Sequence, residues 1–455
     1  MTFISVTGPT TRLCAGPTRR EVLRFGGLTA LGLGAAPTAA RPPAPGSHGR
    51  FGQARRVILF YLFGGASQYE SWDPKPDAPA DIRGEFSTIA TNVAGIRICE
   101  LAPQLARSAH RYALLRSISH GDNTHDTAMY TSYTGWPFGR PGTPPPSPED
   151  RPSHGAVLAH FRPSGRPVPP VVALGGMIVN TPGEVPGQRG GMLGSRYDPL
   201  PVPGNPATPG FRVPELVLSA EVPAARLGRR RTMLQMIDET VRVAERNPGA
   251  AGLGGFQQSA LELITASATR KALDIEQEDP KLRDRYGRTA TGQRLLLARR
   301  LVEVGVPCVQ VHWVDADNSW DYHSNNCPGH KKSMPILDTA VNALLSDLDD
   351  RGMLDDTLVV VLGEFGRTPK INNTAGRDHW AACYSALLAG GGIQGGRVHG
   401  ASDATGAYPA ENQIGPWDIA ATLYHLLGVD PAAEYLDRVN RPMQISRGTP
   451  IGALL

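Results

Sequence analysis

At 455 residues the chain can bury a large core, and 40% hydrophobic with 19% charged residues describes a folded protein, its 52 Gly and 41 Pro implying many stiff loops. Of 46 Lys and Arg against 42 Asp and Glu, residues 1–40 hold Arg12, Arg19, Arg20 and Arg24 with one acid, Glu21, which leaves 42 against 41. So balanced a remainder gives no support to nucleic-acid binding, which depends on neutralising many phosphates.

The chain opens on Thr18 to Arg24, TRREVLR, followed by a Gly- and Ala-rich apolar stretch from Phe25 to Ala36 and the small residues Thr38-Ala39-Ala40. Residues 1–40 are therefore expected to be a twin-arginine export signal, and the periplasm or cell envelope the destination. The apolar run is too short and too weakly apolar to favour a transmembrane helix, and none is expected in the mature chain. Cys14 leaves with the signal; Cys99, Cys308, Cys327 and Cys383 have no C-x-x-C spacing and indicate neither a zinc ribbon nor a disulfide framework.

A Pro/Gly-containing linker is expected over 41–54 and a folded domain over 55–455. Arg56 to Phe63 is a continuous apolar run of strand length ending in Gly64-Gly65, the pattern of a strand buried on both faces. Further strands are expected at Ala113–Ile118, Val171–Gly175, Val306–His312, Thr357–Leu362 and Ser385–Ala389. A helix is expected over Met334–Leu348, where apolar residues recur at three- and four-residue steps. The alternation predicts a layered α/β domain with a mainly parallel sheet. Residues 137–305, Pro/Gly-rich at first and then helical at Leu261–Leu273 and Gln293–Val304, read as an insertion, with a separate helical subdomain as the alternative.

Ligands of such sheets bind beyond the carboxyl ends of the strands. Three strand ends lead into His and carboxylate residues: one into Ser119 to Asp126 with Thr124 and His125, one into Asp321-Tyr322-His323, and one into Glu364 and then Asp378-His379. Convergent His and carboxylate groups with few thiols suit a divalent ion such as zinc or manganese.

At these residues the chain resembles the exported bacterial family catalogued as domain of unknown function 1501, related to the alkaline phosphatase and sulfatase superfamily. The resemblance rests on Gly64 to Gln68 with Trp72 to Pro76, Ile82 to Phe86, Trp320 to His323, Gly363 to Pro369 (GEFGRTP) and Gly376 to Trp380 (GRDHW). It implies a three-layer alkaline-phosphatase-like fold and metals at strand ends beside a nucleophile at a helix N-terminus. Carried over residue by residue, one metal site is kept, with Asp321, His323 and His379 as ligands. The other is altered, with Gly64 in place of an Asp and Glu364-Phe365 in place of Asp-His.

His125 takes the nucleophile position, with Thr124 and Thr127 the nearest hydroxyls. The resemblance thus implies a single-metal hydrolase of phosphate or sulfate esters acting on a small-molecule or polysaccharide substrate. Glu364 or His125 would assist an activated water, and Arg367 or Lys370, with Asp378, would face the substrate. The alternative is a non-catalytic envelope, carbohydrate- or anion-binding module on the same fold.

Overall fold

Residues 49–142, 144–166, 168–180, 183–213, 267–314 and 320–455 are described by the computed structural model. The export signal, most of the linker, residues 214–266 and with them the first part of the helix expected over Leu261–Leu273 lie outside the described residues. The eight strands of the central sheet are β1 (Arg56–Leu62), β2 (Tyr112–Ile118), β3 (Val171–Leu174), β4 (Leu200–Val202), β5 (Cys308–Trp313), β6 (Thr357–Leu362), β7 (Tyr384–Ala389) and β8 (Arg397–His399). Their spatial order is β8-β2-β7-β6-β1-β5-β3-β4.

All neighbouring pairs are parallel except those of β7, which runs antiparallel to both β6 and β2. The mainly parallel α/β architecture agrees with the sequence. The short edge strands β4 and β8 were not anticipated: β4 carries Pro201, which an edge strand tolerates because its missing N–H is not needed by a second neighbour.

Side chains alternate across the sheet and divide the core in two. Ile58, Phe60 and Leu62 of β1 pack under α3 (Ala290–Glu303) and α4 (Asn326–Asp350). Val57, Leu59 and Tyr61 pack under α1 (His125–Thr134), α2 (His154–Phe161) and α5 (Pro416–Leu426). Helices on both faces explain why β1, β5 and β6 are apolar almost without interruption, and each such buried Leu, Ile or Val contributes about 1.5–3 kcal/mol. The helix expected from Met334 begins earlier, at Asn326, and runs through Pro335.

The described residues of the stretch 137–305 are joined to the central sheet and its helices. They supply β3, β4, the packed helix α2 and the core helix α3. Order also begins ahead of Arg55, since Gly52 N–H donates to His425 O and Arg50 to Gly392 O. Cys99, Cys308, Cys327 and Cys383 are all free and buried.

Candidate metal centre

The carboxyl ends of β1, β2, β5 and β6 lie at one edge of the sheet, and the chain beyond each builds the site. β1 runs into Gly64-Gly65, β2 into the loop that starts α1 at His125, and β6 into Gly363-Glu364. Because β7 is reversed, the residues before it, Asp378 and His379, also stand at this edge. A short antiparallel pairing of Gly366–Arg367 with His379–Trp380 fixes them there.

Three histidines converge on Asp321. His125 Nε2 is 3.2 Å from its Oδ2, while His323 Nε2 and His379 Nε2 are 3.0 and 3.1 Å from its Oδ1. Each ring is held from behind through Nδ1: His125 by Glu364 Oε1 at 2.6 Å, His323 by Asp378 Oδ1 at 2.8 Å, and His379 by the Asn123 carbonyl at 2.7 Å. An Nδ1 that donates to oxygen leaves a lone pair on Nε2, the arrangement that orients metal-ligating histidines. His323 Nε2 and His379 Nε2 lie only 2.9 Å apart. Two such lone pairs repel unless a proton or a cation sits between them.

Ligand atoms of His125, Asp321 and His379 fall within 4.8 Å of one another. Two imidazoles and a carboxylate without a thiol fit zinc or manganese. Burial alone would lower the His125 imidazole, but hydrogen bonds to Asp321 and Glu364 outweigh it and hold the group at about 9. For Asp321 burial acts upward, yet His125, His379 and Arg367 hold its carboxyl far below the usual range.

The family described as "Protein of unknown function (DUF1501)" matches residues 54–455. The chain belongs to the DUF1501 family. No curated protein matches it. Similar solved structures include Ps i-CgsB in complex with k-i-k-neocarrahexaose, at 13% identity and a TM-score of 0.41, covering 88% of this chain and 76% of that one. The PsFucS1 sulfatase from Pseudoalteromonas sp. is 14% identical with a TM-score of 0.35, covering 90% of this chain and 72% of that one. Phosphonate monoester hydrolase of Agrobacterium radiobacter is 14% identical with a TM-score of 0.35, covering 87% and 76%. At such scores the likeness carries nothing about chemistry.

Within this DUF1501 chain the sequence-derived roles are redistributed. His125, expected as nucleophile or base, has both ring nitrogens engaged, with Glu364 and with Asp321, and stands in the group whose ligand atoms could hold an ion. Glu364 is fully buried; its Oε1 accepts from His125 and from Gly64 N–H (2.8 Å), so it positions His125 and does not reach a water at the site. Arg367 is also fully buried, donating to Asp321 Oδ1 at 2.6 Å and to the carbonyls of Gly64, Gly65, Trp320 and Arg377. It cannot hold a substrate anion; it fixes Asp321.

Lys370 is 78% exposed and its ion-pair partner is Asp81 at 3.8 Å, so it is not drawn into the cluster. Asp378 serves His323. Thr124 stands exposed at the start of α1, and its side chain does not cap the helix.

Gly64 has φ +107, and a Cβ there would lie 2.7 Å from Asp321 N and 2.9 Å from Trp320 N. The backbone carrying Asp321 therefore occupies the space that a carboxylate at position 64 would need. Asn123 was not singled out in the sequence: its carbonyl orients His379 and its side-chain oxygen accepts from Ala381 N–H at 2.6 Å. An Asn one residue ahead of the Thr124 N-cap, with polar neighbours on both sides, is the trace it leaves in the sequence.

Proposed function

We propose that this chain is a hydrolase of phosphate or sulfate esters that works with one divalent ion, zinc or manganese, held by His125, Asp321 and His379 with His323 beside them. The observation that carries the reading is the convergence of three imidazole Nε2 atoms on one carboxylate, each ring anchored through Nδ1. The ester class comes from the resemblance of the GEFGRTP and GRDHW segments. When bound, the ion would polarise the ester and make a water nucleophilic near neutral pH.

The chain's own residues supply the rest. Glu364 and Asp378 set the orientation of His125 and His323, and Arg367 balances the charge of Asp321 from the buried side. Helix α1 begins at His125 without a side-chain cap, so the positive end of its dipole and its first N–H groups face the cluster and favour an anionic ester. With His125 committed as a ligand, water is the attacking group, and Thr124→Ala retains activity.

The test is elemental mass spectrometry of protein purified without chelators, paired with assays on an aryl phosphate and an aryl sulfate. The expected result is one ion per chain, lost in His379→Ala and in Asp321→Ala together with hydrolysis. Folded wild-type protein that holds no stoichiometric ion would overturn the reading.

A second reading, a carbohydrate- or anion-binding module, is favoured by one observation: Glu364 and Arg367 are sealed inside, and neither offers acid–base chemistry to a substrate. It predicts a bound ion without turnover of either ester. We further propose export by the twin-arginine route on the strength of Arg19-Arg20 and the apolar stretch behind them. Retention of an Arg19→Lys/Arg20→Lys variant in the cytoplasm checks it, and unchanged export of that variant refutes it.

A further inference from the structure

The opposite edge of the sheet carries a cavity of about 570 Å³ between the start of β1, the end of α2 and the turn before β5. Its volume is that of a small-molecule site. β1 has seven residues, so the cavity beside Arg56 and the metal cluster beyond Leu62 lie about 20 Å apart. They are separate places on the molecule.

Four guanidiniums line the cavity: Arg55, Arg56, Arg162 and Arg166. The acids near them are already engaged. Asp356 takes Arg56 at 2.9 Å and Arg55 more loosely at 3.7 Å, and the lining carboxylate Glu303 is held by Arg299 and by Arg351. Arg162 is fixed by donating Nη1 to the carbonyls of Ala54 and Leu427, and has no acidic partner among the described residues. Arg166 likewise has none. Its guanidinium lies against Gly305, where an added Cβ would stand 2.9 Å from Nη1 at a backbone φ of +100, so that glycine makes room for it. The wall between the charges is apolar, with Leu158, Phe161 and Leu427.

We propose that this cavity binds a small soluble oxyanion ligand, a phosphate or sulfate ester whose charged head meets Arg55, Arg162 and Arg166 and whose body lies on Leu158 and Phe161. Arg162, held in place by two carbonyls, presents its remaining N–H groups as a fork suited to two oxygens of one anion, with Arg55 and Arg166 lining the same cavity. The concave apolar wall favours a free ligand over a lipid headgroup, which would need the surface of a bilayer to reach between the arginines.

The test is calorimetric titration of the full chain with inorganic pyrophosphate in EDTA, which keeps the metal centre from taking the anion. Saturable binding is expected, weakened about tenfold or more in Arg55→Ala/Arg166→Ala. It should be unchanged in Arg196→Ala/Arg438→Ala, which removes equal charge elsewhere, and in His379→Ala. The proposal is overturned by absence of saturable binding at millimolar pyrophosphate, by equal weakening in the charge control, or by loss in His379→Ala. Attachment to phosphatidylglycerol vesicles without pyrophosphate binding would also overturn it, in favour of a membrane contact.

Discussion

Helix α1 touches two histidines of opposite character. Near its end, Tyr133 Oη meets His312 Nε2 at 2.6 Å, and His312 Nδ1 donates to the Gly176 carbonyl, also at 2.6 Å. Both partners are uncharged, so burial dominates and lowers this imidazole to about 4. At the start of the same helix, His125 is also removed from water but sits between two carboxylates, and it moves to about 9 instead. Burial decides neither case alone: neutral partners make a structural histidine, and carboxylate partners make a place for a cation.

The contrast is most severely broken at Arg367. Arg367→Ala removes the buried cation paired with Asp321 and a donor to four backbone carbonyls, and a loss of about 3–5 kcal/mol in urea unfolding is expected. A loss below about 1 kcal/mol would show that the buried side of the site is not held by this residue.

Acid sharpens the other half of the comparison. With a folded value near 4 and an unfolded one near 6.5, His312 contributes stability that is complete above pH 6.5 and lost as the pH falls towards 4. The expected loss is about 3 kcal/mol. His154, lowered to about 4 by burial, adds a term of the same sign. The dependence of unfolding on pH between 7 and 4 should therefore be shallower in His312→Gln, and an unaltered slope would contradict the assignment.

Glu364→Gln changes the partner of His125 while keeping its shape. Metal affinity should fall about 10–100-fold, read by competition with a chelating dye, with little change in unfolding. The smallest effect belongs to Lys370→Ala. An exposed lysine loosely paired with Asp81 should change stability by less than about 0.5 kcal/mol and leave metal content and hydrolysis unaltered.

The strands of the sheet centre were legible because burial on both faces leaves unbroken apolar runs, and Thr357–Leu362 appears with its expected limits. The edge strands were not, since three residues with one partner leave no pattern. Asp321, His323, His379 and His125 could be singled out because they follow expected strands and because the family resemblance points to those positions. Their neighbours misled for a physical reason. Glu364 and Arg367 look in sequence like a base and an anion clamp, and only burial shows that both point inward at other site residues. Helix α2 was hidden by the Pro-rich loops around it, whereas strand β3 appears close to its expected limits, and Gly64 stands where two backbones meet.

The reversed strand β7 bears on the order in which the site assembles. Glu364, Arg367, Asp378 and His379 all lie on one excursion between adjacent antiparallel strands, pinned by the pairing of Gly366 with Trp380. Joining His125 to Glu364 instead spans 239 residues. The entropic difference between closing these loops is roughly 2 kcal/mol, and local pairings form faster than distant ones. One side of the cluster can thus be set by a near-neighbour hairpin, while Asp321 and His125 reach it only through long crossovers that depend on the finished sheet.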